Sequence, residues 1–139
     1  MALQVELVSP EEIVFTGEAT MVIARTTAGE IAFLAGHVPF VGVIAGKSPV
    51  RVFLTDGTVL AVAVHSGFVE VSHDRITILS DVAELAGTID VARAQAARDR
   101  AETRLREKSD DTDAEAALAR ANLRLSVAGA STTAHAGAH

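Results

Sequence analysis

Through about residue 86 the apolar side chains recur at every second position, the spacing of strands with one buried face. Leu3, Val5 and Leu7 alternate with Gln4 and Glu6, and Val50, Val52 and Leu54 alternate with Arg51, Phe53 and Thr55. Short runs of the same kind recur over 20–26, 31–34, 41–44, 58–65, 68–71 and 76–79. Turn chemistry separates them. Asp56-Gly57 has the composition of a two-residue hairpin turn, because glycine enters positive φ without a Cβ clash. His73-Asp74 predicts a second tight turn. Eight or more short strands with little helix between them imply a β-sandwich or a flattened barrel.

One run breaks the alternation. Val59, Leu60, Ala61, Val62, Ala63 and Val64 put apolar groups on both faces. Such a strand is either covered on both sides by its own fold or covered on its outer face by another protein, with Ala61 and Ala63 as the candidate outer positions.

From Asp90 the period becomes helical. Val91, Ala94, Ala97, Ala101 and Leu105 form one stripe, and Ala114, Ala117, Leu118, Ala121 and Leu125 form another. Ser109-Asp110-Asp111 separates the two, and Thr112 with Glu115 has the spacing of a capping box. The second helix is expected to stop near Gly129. The chain is therefore expected to divide into a strand-rich domain over 1–86, an antiparallel helical hairpin over 90–128 and a flexible tail over 129–139. The stripes are mostly alanine, which favours helix but buries little apolar area at about 25 cal/mol per Å². Helices of that kind can stay folded while leaving their seat, so the hairpin reads as a movable element.

Charge sharpens the division. Residues 1–89 carry four basic and ten acidic side chains, whereas 90–139 carry eight of each. An acidic first part argues against a nucleic-acid ligand. With 139 residues and no cysteine, the chain suits one domain plus an appendage and has neither disulfides nor thiolate ligands. The stretch MALQVELVSPEE lacks the basic-then-apolar order of a signal peptide, and no apolar run approaches the roughly 18 residues that span a bilayer. A soluble protein is expected, with any membrane association made through partners. Neither paired carboxylates, an activated serine nor a GxxxxGK[ST] loop is present, so catalysis is not expected. His65 reads as structural, and His135 and His139 are too isolated for a metal site.

Four blocks, in order, carry a resemblance: Gly29-Glu30-Ile31-Ala32-Phe33-Leu34-Ala35-Gly36-His37-Val38-Pro39; Ser66-Gly67-Phe68-Val69-Glu70-Val71 with Ile76-Thr77-Ile78-Leu79-Ser80-Asp81-Val82-Ala83-Glu84; Ile89-Asp90-Val91-Ala92-Arg93-Ala94; and Arg120-Ala121-Asn122-Leu123-Arg124-Leu125. They resemble the epsilon subunit of bacterial F-type ATP synthase over nearly the whole chain. Ala32, Ala35 and Ser66 depart from the Gly, Pro and Gly usual there. The resemblance implies a sandwich of about ten strands seated on the gamma subunit and the c-ring, followed by the hairpin. It also implies a non-catalytic rotor role at the cytoplasmic face of the bacterial membrane, without insertion into it. The hairpin would extend toward the alpha/beta catalytic ring and inhibit hydrolysis.

Under the same resemblance, Glu30 and His37 are contact candidates near the c-ring. Glu84, Ile89, Asp90, Arg93, Ala94, Arg120 and Arg124 match a site that binds regulatory ATP in some bacterial relatives. The residues alone allow plainer roles. His37 can be a turn histidine, and Asp90 an N-cap with Ile89 stapled on Ala94. Arg98, Arg100, Arg104 and Arg106 can form a solvated face with a Glu102–Arg106 pair. A free-standing ATP-sensing module remains the alternative to a rotor part, and co-purification with a membrane ATPase separates the two.

Overall fold

Alternation along the first 85 residues folds as it reads, into strands that turn their branched aliphatic side chains inward. The computed structural model describes residues 2–137, with side chains through Gly129. Strands β1 (Leu3–Val8), β2 (Ile13–Thr26), β3 (Gly29–Leu34), β4 (His37–Ile44), β5 (Val50–Leu54), β6 (Val59–Val64), β7 (Gly67–His73), β8 (Arg75–Ser80) and β9 (Ala83–Leu85) come first. A single 3-10 turn, Ala86–Thr88, leads to helices α1 (Val91–Glu107) and α2 (Thr112–Gly137).

The strands are ordered β1-β8-β7-β4-β2-β5-β6-β9, with β3 on β2 and β1 also paired to β2. β1 and β8 run parallel, with Val5 opposite Ile76 and Leu7 opposite Ile78. Nine strands make the sandwich among the described residues, and β2 serves both layers. Its first half pairs with β1 through Leu3↔Ala19, and its second half pairs with β3 and β5. A register shift between Ala19 and Met21 lets the strand turn from one layer into the other.

Leu3, Val5, Leu7, Val69, Val71, Ile76 and Ile78 fill the core from one layer, and Val22, Phe33, Val50, Val52, Val62 and Val64 fill it from the other. β6 does not face an external partner with its second side. Ala61 and Ala63 point away from the core and are buried under Leu123 and Val127 of α2. Of the two readings of that strand, coverage by its own fold is the one realised.

Ala94 and Ala101 of α1 are buried along with Ala114 and Ala121 of α2, and Val91 at the top of the expected stripe is exposed. α2 carries a second apolar face as well. Leu123 lies two residues beyond Ala121, about 200° around the helix, so one face meets α1 and the other meets β6. Asp90 caps α1 by accepting from the Arg93 amide at 3.0 Å. The cap of α2 is Asp111 and not Thr112: the Ala114 amide donates to Asp111 Oδ1 at 3.0 Å, and Thr112 is already helical. Arg104 donates to both Asp111 oxygens, at 2.9 and 3.2 Å, and so clamps α1 to the start of α2. The Ala114 bond, with Arg104 and Lys108 nearby, holds the Asp111 carboxyl below its ordinary value against a smaller burial effect. Glu102 pairs with Arg98 one turn back, at 4.0 Å, while Arg106 donates to Thr103. The backbone of α2 continues past Gly129 to Gly137, since one glycine in an alanine-rich run costs only about 1 kcal/mol. Residues 138 and 139 of the expected tail lie outside the described residues.

Turns obey the same local rules with one change of length. β5 and β6 are joined by four residues, Thr55 to Thr58, in which Gly57 has φ +92° and the Thr58 amide donates to Asp56 Oδ1 at 2.8 Å. That bond is what lowers the Asp56 carboxyl. His73 turns β7 into β8 at φ +55°. Gly46 has φ +70°, and a Cβ there would strike the His65 carbonyl oxygen, whereas one at Gly57 would meet open space. Gly57→Ala should thus cost about 1–2 kcal/mol of left-handed strain, and Gly46→Ala clearly more, because backbone cannot yield. Urea unfolding of the two variants checks the order, and equal losses would show that the Gly46 approach is not tight.

Candidate functional site

β9 is short, and it delivers Glu84 to an edge where sandwich and hairpin meet. The register Val62↔Leu85, Ala63↔Glu84, Val64↔Ala83 sets Glu84 beside the end of β6. There Glu84 Oε1 accepts from His65 Nε2 at 2.9 Å and from Arg124 Nε at 2.8 Å. Burial alone would raise the Glu84 carboxyl, but the bonds from His65 and Arg124, helped by the guanidinium charge, hold it below its ordinary value. A carboxyl lowered on folding stabilises the fold above the unfolded value, and the contribution is lost as pH falls through the lowered one. Three elements, β6, β9 and α2, converge on one oxygen.

Next to this triad a cavity of about 370 Å³ opens between β9, α1 and α2. Glu84, Asp90, Arg93, Ala94 and Arg124 line it, joined by Thr88, Ala97 and Arg100. Five of the seven expected ligands thus share one pocket. The other two do not: Ile89 packs onto Ala61, Ala63, Leu123 and Val127, and Arg120 is exposed outside the lining. Arg93 and Arg100 form no ion pair among the described residues, so two guanidinium forks are available beside Arg124. Such forks suit phosphate oxygens, because each can donate two parallel hydrogen bonds. Asp90 spends Oδ1 on its own helix cap. No group of three or more carboxylates and imidazoles is placed to hold a metal among the described residues.

His65, read from sequence as structural, and Arg100, read as part of a solvated face, both stand at this site. A polar residue closing an otherwise apolar strand was the available signal for His65. Arg100 lies on the pocket side of α1 seven residues after Arg93, two turns along, a spacing that the charge-rich run around it conceals.

Glu30 is the second residue of β3 and His37 the first of β4, and β3 advances roughly 13 Å from Glu30 to Leu34 before the turn, so they form no joint site. The Glu30 carboxylate accepts from Arg51 at 3.1 Å and from Arg25 at 3.4 Å, on the surface. His37 Nδ1 donates to its neighbour's Val38 carbonyl at 2.7 Å, and its ring meets Phe33 edge-on with centroids 5.1 Å apart.

A different surface is more conspicuous. Register sets Val43 opposite Phe68, Phe68 opposite Leu79, and Leu79 opposite Val8, in a row across four strands. Phe68 is 56% exposed, Leu79 47% and Val43 42%, and the row borders a depression of about 590 Å³ that also includes Pro10. A contiguous apolar row on the outside of a sheet marks an interaction face. No helix among the described residues is long and apolar enough to cross a membrane.

Comparison with known proteins places these features in a family. Residues 2–86 match the beta-sandwich domain of the ATP synthase Delta/Epsilon chain, and residues 88–129 match that chain's long alpha-helix domain. The ATP synthase epsilon chain of Thermobifida fusca is 48% identical over 129 residues, covering 91% of each chain. That of Brevibacillus brevis is 47% identical over 111 residues, covering 80% of this chain and 83% of the relative. Among solved structures, a chain in the Euglena gracilis mitochondrial ATP synthase, OSCP/F1/c-ring in rotational state 1, shares the fold with a TM-score of 0.67 at 22% identity, covering 97% of this chain and 81% of its own.

Proposed function

The chain belongs to the ATP synthase delta/epsilon family, a subunit of the complex and not its catalytic chain, and from that premise we propose a rotor role for it. It is a part of the central stalk of a bacterial F-type ATP synthase, at the cytoplasmic face of the membrane. The sandwich joins the gamma subunit to the c-ring and transmits rotation, and the hairpin restrains hydrolysis when it extends toward the alpha/beta catalytic ring.

The observation that carries this reading is the slightness of the hairpin's seat. The sandwich core and the seat under the hairpin are separate apolar clusters, and the seat consists of Ala61, Ala63, Leu123 and Val127 with Ala86 and Ile89 at its margin. Leu123 and Val127 contribute about 1.5–3 kcal/mol each in gross burial, and the alanines less. A seat of that size holds the helices down yet gives way to a competing interface. α1 packs along α2, so the two can leave together. The row Val43, Phe68, Leu79 supports a large apolar partner surface on the opposite layer, which suits the gamma subunit. Glu30, near the start of β3, and His37, at the start of β4, are offered to the c-ring.

A second reading is added by the arginine-lined pocket: regulatory ATP binds between β9 and the hairpin and favours the seated state. Arg93, Arg100 and Arg124 hold phosphates, with Asp90 and Glu84 at the nucleoside end.

Ending the chain before Asp90 should leave the sandwich folded and the complex coupled, while hydrolysis by the assembled complex rises severalfold. Hydrolysis unchanged by the truncation would dismiss the restraining role. Phe68→Asp with Leu79→Asp should weaken assembly with gamma at least about tenfold, the loss expected for a buried anchor, at little cost to the isolated fold. Undiminished assembly, measured by surface plasmon resonance, would move the interface elsewhere. ATP at 100 times its Kd should stabilise the isolated chain by about 2.7 kcal/mol, and Arg93→Ala or Arg124→Ala should remove that shift. Calorimetric titration to millimolar ATP without heat, and without a thermal shift, would leave Asp90 a helix cap and nothing more.

A further inference from the structure

His65 directly follows β6, with only 10% of its side chain exposed. Its Nε2 and Arg124 Nε donate to the same oxygen, Oε1 of Glu84. On the ring's other edge, Nδ1 is buried and has no hydrogen-bond partner among the described residues. With the proton on Nε2, a neutral ring leaves a bare lone pair at Nδ1. A second proton would put an N–H there with no acceptor, and an orphan donor on a charged group is the more costly state. It would also set a second cation beside the Arg124 guanidinium, with one carboxylate between them.

The sandwich keeps His65 and Glu84 together without help from the hairpin, because β6 and β9 are paired at Ala63↔Glu84 and Val64↔Ala83. Departure of α2 takes away Arg124, deprives Glu84 of its cation and admits water to the end of β6. A protonated His65 is then the natural counter-ion of Glu84, and water can accept from Nδ1. Other charged groups on the surrounding elements do not bond the ring among the described residues. Asp81 adjoins Val82, whose carbonyl accepts from the His65 amide, and Lys47 adjoins Gly46 at the His65 carbonyl. Both are exposed and of opposite sign. Arg51 of β5 is tied to Glu30, and Asp90, Arg93 and Arg100 lie across the pocket at α1.

We propose that His65 is a proton-sensitive latch on the hairpin: taking up a proton at Nδ1 releases α2 from β6, and losing it reseats the helix. The device rests on the reading that the hairpin leaves its seat. It gives the sandwich a way to exchange Arg124 for its own histidine as the partner of Glu84, so that release leaves no carboxylate unpaired.

The chain has no cysteine, so Thr55→Cys and Ala116→Cys, both at exposed positions, allow spin labels on sandwich and hairpin of the full-length protein. Between pH 8 and 5.5 the ratio of released to seated hairpin should rise about tenfold, a window in which Glu84 stays ionised. His65→Gln keeps a donor for Glu84 but takes up no proton, and its ratio should stay flat. Release with the same pH profile in His65→Gln overturns the latch and leaves the mobile hairpin standing. No release at any pH overturns both. Independently of any variant, ring nitrogen chemical shifts of the unlabelled chain at pH 8 should report the neutral tautomer with its proton on Nε2, and a proton on Nδ1 would overturn the proposal.

Discussion

β6 is buried on both faces, and most of what this protein can do follows from that constraint. A strand two-sidedly apolar cannot lie at the surface of a sandwich. One face, Val62 and Val64, completes the core between the layers, and the other, Ala61 and Ala63, demands a cover. The side chains are graded to the demand. Valines face the permanent core, where branched groups pack densely against neighbouring strands. Alanines face the helix, where they let a backbone approach closely but yield little when it departs. Exposing two alanines is a small loss, whereas exposing two valines would threaten the sheet.

The same strand places the chemistry. The apolar run of β6 ends at His65, beside β9, and β9 brings in Glu84 through three paired residues. α2, lying along β6 by Leu123 and Val127, reaches the same point with Arg124, one residue after Leu123. The ion-pair cluster is thus a consequence of packing: once the helix sits on the alanines, its next residue meets the carboxylate. The pocket alongside is closed by α1, whose first turn is anchored by Asp90. One aspartate thereby fixes where α1 begins and where Arg93 projects.

Much of this was legible from residue order, because it depends on local periods. Strand alternation, the double-sided run at 59–64, the change of period at Asp90 and the cap there all act within a few residues. The second face of α2 was not legible. Leu123 and Val127 are only two apolar positions, and they sit among alanines that serve the other face, so the α1-facing stripe dominates the pattern. The cap at Asp111 was missed for a related reason, since four acceptors stand in succession at Ser109, Asp110, Asp111 and Thr112 and only the path of the chain selects one. In the site, five of seven expected positions share a pocket, but Ile89 serves the apolar seat and Arg120 faces outward. Their places are decided by which side of a helix or turn meets β6, a tertiary matter that spacing along the chain does not encode.

Arg124 has two uses that compete. While it donates to Glu84 it holds the hairpin to the sandwich, and it also lines the pocket with Arg93 and Arg100. An anion in that pocket and Glu84 would share one cation, and sharing strengthens the seat only if the anion also engages α1. Arg93 and Arg100 of α1, which form no ion pair among the described residues, supply that engagement. An anion between them and Arg124 ties α1 and α2 together over β9, adding bonds that exist in the seated state alone. Any ligand of that geometry is bound to favour the seated hairpin by linkage, whatever the affinity, since the released helices no longer present the three guanidinium groups against β9.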